Sequence, residues 1–374
     1  MLHYLIWKRL QQSSYFILTG TSTTASKIGG RTVKGTNDLS VEATIRDVAR
    51  EAGVSVATVS RVINGKDHVT PEKHARVVQA MGRLGYVMNQ HARSLAGGKS
   101  QVIGLLLNEI SHPFIEEVIR GIEDELAKSQ YDILLYTTHR RKTRETMYVT
   151  TLTRGLADGL LLIVPRDIDT YATSLQERHF PHVLIGNETS NGNSSVVNGQ
   201  FWQGAYTATR YLLQLGHRRI GFIMGIPDIV NAREQLSAYF SALREHEVPI
   251  DDALVQPGDY IQTGGYLSAQ RLLDLPSPPT AIFAANDLSA FGVMNAARER
   301  GLSIPDDLSI IGFDDLPQAA LQFPPLTTIH QPVQKMGAHA TRLLLELIEQ
   351  PDQPPQHIKL PTHLVERGTC RHSR

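Results

Sequence analysis

The hydrophobic pattern of this 374-residue chain changes period once, near residue 100, and that change constrains the fold more than any other feature. Downstream of it, short apolar runs at 102–107, 133–136, 159–164, 182–185, 219–224, 281–284 and 308–313 predict strands. Amphipathic stretches at 113–128, 203–215, 232–246, 264–273 and 288–300 predict helices between them. Such alternation gives parallel sheets with helices on both faces. The strands are too many for one ordinary sheet, and the stretch 204–217 reads as the start of a second doubly wound unit. Two units of this kind facing each other leave a cleft at the C-terminal ends of their strands, where open α/β sheets bind ligands.

Upstream the pattern is that of short helices. Thr44 is placed to cap a first helix with Ile45, Val48 and Ala49 on one face, and Gly53 suits a tight turn. Ser55 caps a second helix, 56–63, ending at Asn64-Gly65. Thr70-Pro71 opens a third, with Glu72 in its first turn, Val77, Met81 and Leu84 on one face and Gly85 as its stop. Residues 43–99 carry nine Lys and Arg against four Asp and Glu, whereas 100–374 carry 23 against 31. A basic module on an acidic body is the asymmetry expected when one end meets a polyanion.

Four segments follow. Residues 1–42 read as a disordered extension, or as translation begun too early. Residues 43–88 form a helical domain, and 89–100 a hinge helix and linker broken at Gly97-Gly98. Residues 101–370 form the two-lobed core, with one lobe at about 101–199 plus 330–356 and the other at about 200–329 plus 357–370. The expected fold is thus an all-α headpiece plus an α/β core of two doubly wound parallel-sheet lobes.

Several chemistries lack support. The single cysteine, Cys370, makes no internal disulfide or cysteine-rich zinc site and fits a reducing cytoplasm. No run of 18 apolar residues occurs. Gly98-Lys99-Ser100 resembles the end of a phosphate-binding loop, but Arg93 stands where that loop needs its first glycine. No hydrolase or metalloprotease signature is present, so no cofactor, metal or catalytic role is expected. His217 reads as structural.

Residues 44–65 have the pattern of a helix-turn-helix, in which Val48, Ala49, Val54 and Val59 pack two helices about Gly53. The second helix then exposes Val56, Ala57, Ser60 and Arg61; Arg61 suits a guanine edge, and Val56 and Ala57 suit thymine methyls. The pattern alone is also that of a helical hairpin that touches no DNA. The match extends further. Asp47-Val-Ala-Arg-Glu-Ala-Gly-Val-Ser, Thr58-Val-Ser-Arg-Val-Ile-Asn, Leu215-Gly-His-Arg-Arg-Ile-Gly, Ala285-Asn-Asp, Ile311-Gly-Phe-Asp-Asp and Pro325-Leu-Thr-Thr-Ile resemble the LacI/GalR family of bacterial regulators, from residue 44 to 370.

That resemblance implies a periplasmic-binding-protein-like core and a repressor, cytoplasmic and homodimeric, whose hold on operator DNA responds to a small sugar-like effector. It places Val56, Ala57 and Arg61 at the bases, and Thr58, Ser60 and Asn64 at the backbone. It makes Leu95 a minor-groove wedge in the hinge helix. Thr44, Asn89 and Ala96 complete the expected DNA-binding set. For the effector it implies Arg233, Asn286, Asp314, Asn187 and Tyr260, with His112 and Phe114 from a loop lining the cleft. Trp202, or its neighbour Phe201, is the expected stacking ring, Gln331 a crossover contact and Asp315 a structural cap. Asn187, Asn286 and Asp314 also follow predicted strands, although polar residues there are equally loops and caps. A sugar-binding protein without regulatory DNA binding, and a regulator answering to a purine or a protein partner, are the alternative readings.

Overall fold

The computed structural model describes residues 43–63, 69–86 and 99–373. The expectations for the 1–42 extension, for Asn64 and for the hinge residues Asn89, Leu95 and Ala96 lie outside the described residues. Two compact units divide at residues 98 and 99.

In the smaller unit, α1 (Ile45–Ala52), α2 (Val56–Ile63) and α3 (Pro71–Leu84) enclose a core of Val48, Ala49, Ala52, Val59, Val62, Val77 and Ala80. Thr44 caps α1 in a capping box: its backbone N–H donates to the Asp47 carboxylate at 3.0 Å, while its hydroxyl accepts from Asp47 N–H. Gly53 ends α1 at φ 62°, a left-handed conformation that glycine adopts without strain. The Ser55 hydroxyl accepts from Thr58 N–H at 3.2 Å and starts α2 only two residues after that glycine. Leu84 departs from its expected place. It is exposed, because Ala80, one turn earlier on the face of Val77, already fills the core.

The larger unit holds two six-stranded sheets. In the first lobe β1 (Val102–Leu107), β2 (Asp132–Thr137), β3 (Gly159–Ile163), β4 (His182–Ile185), β5 (Ser195–Gly199) and β11 (His357–Leu360) pair in the order 11-5-4-3-1-2, all parallel. Its helices are α4 (Pro113–Leu126), α5 (Glu145–Leu152), α6 (Ile168–Glu177) and α12 (Val333–Glu349). In the second lobe β6 (Ile220–Ile223), β7 (Val255–Gln256), β8 (Ala281–Ala284), β9 (Ser309–Asp314), β10 (Thr327–His330) and β12 (His363–Val365) pair in the order 12-10-9-8-6-7, with only β12 antiparallel. The helices α7 (Phe201–Gln214), α8 (Val230–Glu245), α9 (Gln262–Leu273), α10 (Asp287–Glu299) and the short α11 (Pro317–Ala320) belong here.

The expected lobe boundary at 357 is corrected. β11 pairs with β5 from His357↔Val196 to Leu360↔Gly199, so the chain stays in the first lobe until residue 360 and crosses a third time before β12. The reason is edge satisfaction: without β11, the outer edge of β5 has unpaired backbone groups.

Each lobe closes over a pair of glycines. A Cβ on Gly121 of α4 would stand 1.9 Å from the Gln334 carbonyl, and one on Gly337 of α12 would stand 2.2 Å from the Val118 carbonyl. The two backbones therefore touch. Gly265 and Gly292 make the same reciprocal contact between α9 and α10.

Two buried histidines fasten the sheets. His217 bonds Thr280 Oγ1 at 2.8 Å, Ser309 Oγ at 3.1 Å and the Arg371 carbonyl at 3.0 Å. His182 bonds the Phe180 carbonyl and Ser194 Oγ. Burial pushes both below their ordinary 6.5. As pH falls below about 6.5, the unfolded chain therefore takes up protons that the fold refuses, and stability present above that pH is lost. The raised carboxyls of Glu145, Asp287 and Asp314 act in the opposite sense over this range, so the test is a difference: from pH 7 to pH 5 the melting midpoint of His217→Gln is expected to fall less, or rise more, than that of the wild type. An unchanged slope would contradict this.

Candidate functional site

The strands of both lobes point their C-terminal ends at one cleft, a cavity of about 790 Å³ counted with its open mouth. Of the nine effector residues expected from sequence, His112, Phe114, Tyr260, Asn286, Asp314 and Gln331 line it. Each is held from behind. His112 caps α4, its Nδ1 accepting from Phe114 N–H at 3.3 Å, which leaves the proton on Nε2 to donate to the Tyr260 carbonyl at 3.2 Å. Burial keeps this ring neutral by lowering its pKa. Asn286 caps α10 through Oδ1 to Ser289 N–H and donates Nδ2 to the same Tyr260 carbonyl, both at 3.0 Å. One carbonyl thus ties a residue of each lobe.

Asp314 is a strained liner. It adopts φ 117°, costly for a residue with a Cβ, is 6% exposed, and accepts Gln331 Nε2 on Oδ1 at 2.6 Å. Close behind, the fully buried Asp287 accepts Thr328 Oγ1 at 2.6 Å and Leu316 N–H at 2.7 Å. Burial, and then the charge of Asp287, push the Asp314 carboxyl well above the ordinary carboxylate range. Asp287 itself is pushed up to about 7 by burial. Asp315 does not face the cleft; it takes Arg367 Nη2 and His330 Nδ1, as a structural brace.

Three expected residues do not line the cavity. Arg233 is exposed, with Nη1 3.3 Å from the Pro227 carbonyl. The inward face of α8 instead carries Asn231 and Gln235, four apart, and Asn231 is the liner. Trp202 is 38% exposed and stacks on Tyr206, one turn along the outer face of α7, at 5.2 Å. Its neighbour Phe201 turns inward, lines the cavity and stacks on Phe313 at 5.6 Å. Asn187 is buried, but both ends of its amide are spent: Nδ2 on the Pro165 carbonyl at 2.6 Å and Oδ1 on Val230 N–H at 3.1 Å, where it caps α8 from the other lobe.

Sequence reasoning missed Asn108, Glu109, Arg140, Arg166 and Asp259, all of which line the cavity. The first four sit just past β1, β2 and β3, so the strand-end rule that picked Asn286 and Asp314 would have found them. Arg140 donates Nε and Nη2 to the two oxygens of Glu109 at 2.9 and 2.6 Å, a forked pair. Three wall atoms are buried without a hydrogen-bond partner: Arg166 Nε, Asn231 Oδ1 and Gln331 Oε1. A donor and two acceptors without partners in a cleft are what a ligand with oxygens and hydroxyls would satisfy.

In the headpiece, α2 turns Val59 and Val62 into the core and leaves Val56, Ala57 and Arg61 exposed along its outer side, with Ser60 half-buried among them. Thr58 is half-buried, its hydroxyl 2.9 Å from that of Ser55. Thr44 is exposed and engaged in its capping box.

The raised pKa of Asp314 gives a stability test. Between pH 4 and pH 7 the unfolded carboxyl ionises while the folded one resists, so the wild type loses stability there. Asp314→Asn, which keeps the Gln331 bond, is expected to raise the melting midpoint of the ligand-free protein at pH 7 and to change it little at pH 4. An equal shift at both would refute the raised pKa.

Known proteins match this arrangement along its length. Residues 44–89 match the bacterial regulatory proteins of the lacI family, and residues 209–370 match the periplasmic binding protein-like domain. The ribose operon repressor of Escherichia coli K12 is 35% identical over 332 residues, which span 88% of this chain and all of that protein. Catabolite control protein A of Priestia megaterium is 34% identical over 324 residues, 86% of this chain and 97% of that protein. Among solved structures, the lac repressor dimer bound to operator and the anti-inducer ONPF superposes with a TM-score of 0.75 at 28% identity, covering 88% of this chain and 99% of that one. The transcriptional regulator CelR–cellobiose complex gives 0.68 at 31% identity, covering 88% and 100%. The chain belongs to the LacI family of DNA-binding transcriptional repressors, with a periplasmic-binding-protein-like effector domain and no enzymatic role.

Proposed function

We propose that the chain binds a near-palindromic operator as a homodimer through α2, and that a small sugar-like ligand in the cleft between the lobes modulates that binding. The observation that carries the effector half is the cleft itself. Polar side chains fixed by their own hydrogen bonds converge there with the rings of Phe114, Phe201 and Tyr260, the combination of polar and aromatic groups that a sugar needs. Relatives support the same reading: one is a regulator in complex with cellobiose, and another is a ribose operon repressor. The DNA half rests on the exposed side of α2, where Arg61 can fork onto a guanine while Val56 and Ala57 meet thymine methyls.

Because the cleft bonds both lobes at once, a ligand there favours one arrangement of the lobes over another. Only such a preference can act at a distance on DNA. The hinge and linker, 89–100, is the segment through which we expect this to pass.

Arg61→Ala is expected to cost roughly 1–3 kcal/mol of operator affinity and to relax specificity at one base per half-site. Binding-site selection on random DNA reads both, and equal affinity for all sequences in the wild type would sink the operator reading. Asp314→Ala is expected to weaken the effector by roughly 1–3 kcal/mol in calorimetry. Unaltered ligand affinity would remove Asp314 from the site.

A further inference from the structure

We infer that the ligand carries a carboxylate beside its hydroxyls, that Arg166 grips this carboxylate, and that the buried Glu145 is what holds Arg166 in position. The inference rests on the reading of the cleft as the effector site.

The two guanidinium groups of the cavity are in opposite states. Arg140 has its Nε–Nη2 edge closed by the two oxygens of Glu109. Arg166 has no such forked acceptor: Nε is buried without a hydrogen-bond partner, and Nη2 lies 3.9 Å from Asp228, which is 41% exposed. Its Nε–Nη2 edge presents two parallel N–H groups at the spacing of carboxylate oxygens, and the neighbouring Arg140–Glu109 pair displays the match inside the same cleft. A single hydroxyl would fill one of the two positions and leave the other wanting.

Arg166 is also built in place. The Glu145 carboxylate, 1% exposed, accepts the backbone N–H of Arg166 on both oxygens at 2.9 and 3.1 Å, Asp167 N–H at 2.9 Å and the Tyr171 hydroxyl at 3.0 Å. A buried carboxylate is costly, and this one is spent on fixing the turn after β3 at the residue that faces the cavity. Glu145 touches no ligand; it is a positioning residue. The other two wall atoms without partners, Asn231 Oδ1 and Gln331 Oε1, are acceptors and call for ligand hydroxyls. An acceptor fork at one end and hydroxyl donors elsewhere describe a sugar acid, of the aldonic or uronic class, and not the parent aldose.

The test is calorimetry on the full-length protein with common hexoses and pentoses, each beside its aldonate and, for the hexoses, its uronate. One acid is expected to bind at least tenfold more tightly than its parent aldose. Arg166→Gln is expected to erase that ratio by weakening the acid alone, and Glu145→Gln to narrow it, a selectivity change that mere loss of stability does not produce. If aldoses bind and their acids do not, or if the ratio survives Arg166→Gln, the carboxylate grip is overturned while the effector cleft stands. If neither class binds at millimolar concentration, the sugar-effector reading falls with it.

Discussion

The effector core is governed by the need of a parallel sheet to be covered on both faces. Parallel strands return only through crossovers, so helices accumulate above and below, and every strand ends at the same side of its sheet. In both lobes the strand ends carry the turns into α4, α6, α8, α9 and α10, and those turns hold Glu109, Arg166, Asp259 and Asn286. The cleft is therefore polar because the sheets behind it are apolar. Leu105, Leu161, Val183, Phe222, Phe283 and Ile311 are fully buried, and the hydrogen-bonding residues lie within three positions of the ends of such strands.

The polar walls are not cheap to hold. Asp314 combines left-handed backbone with a buried carboxyl beside a second one, and three wall atoms lack partners. These features meet in the walls of the cleft, while other buried polar groups such as His217 and Thr328 are bonded. A ligand that bonded these wall atoms would stabilise the arrangement of the lobes that it bonds.

Much of this was legible in the sequence because it depends on local periodicity. The headpiece helices announce themselves by caps and i, i+4 spacing, and the central strands β1, β3, β8 and β9 are continuous apolar runs. What was not legible depends on partners far along the chain. β11, His-Ile-Lys-Leu, alternates like any edge strand, and nothing local says that it pairs with β5 some 160 residues earlier. Arg233 and Trp202 were misplaced by helix phase, one or two residues from the inward-facing Asn231 and Phe201. Arg140 lies just past β2, where the strand-end rule applies, but only folding sets it against Glu109, 31 residues away.

The third crossing of the chain, between β11 and β12, has a mechanical consequence. The lobes are joined near residues 200, 331 and 361, and these three strands run side by side because β5 and β11 are neighbours in one sheet while β10 and β12 are neighbours in the other. Two tethers would let one lobe twist freely against its mate. Three abreast form a band wider than it is thick, which resists twist between the lobes more than bending across the cleft.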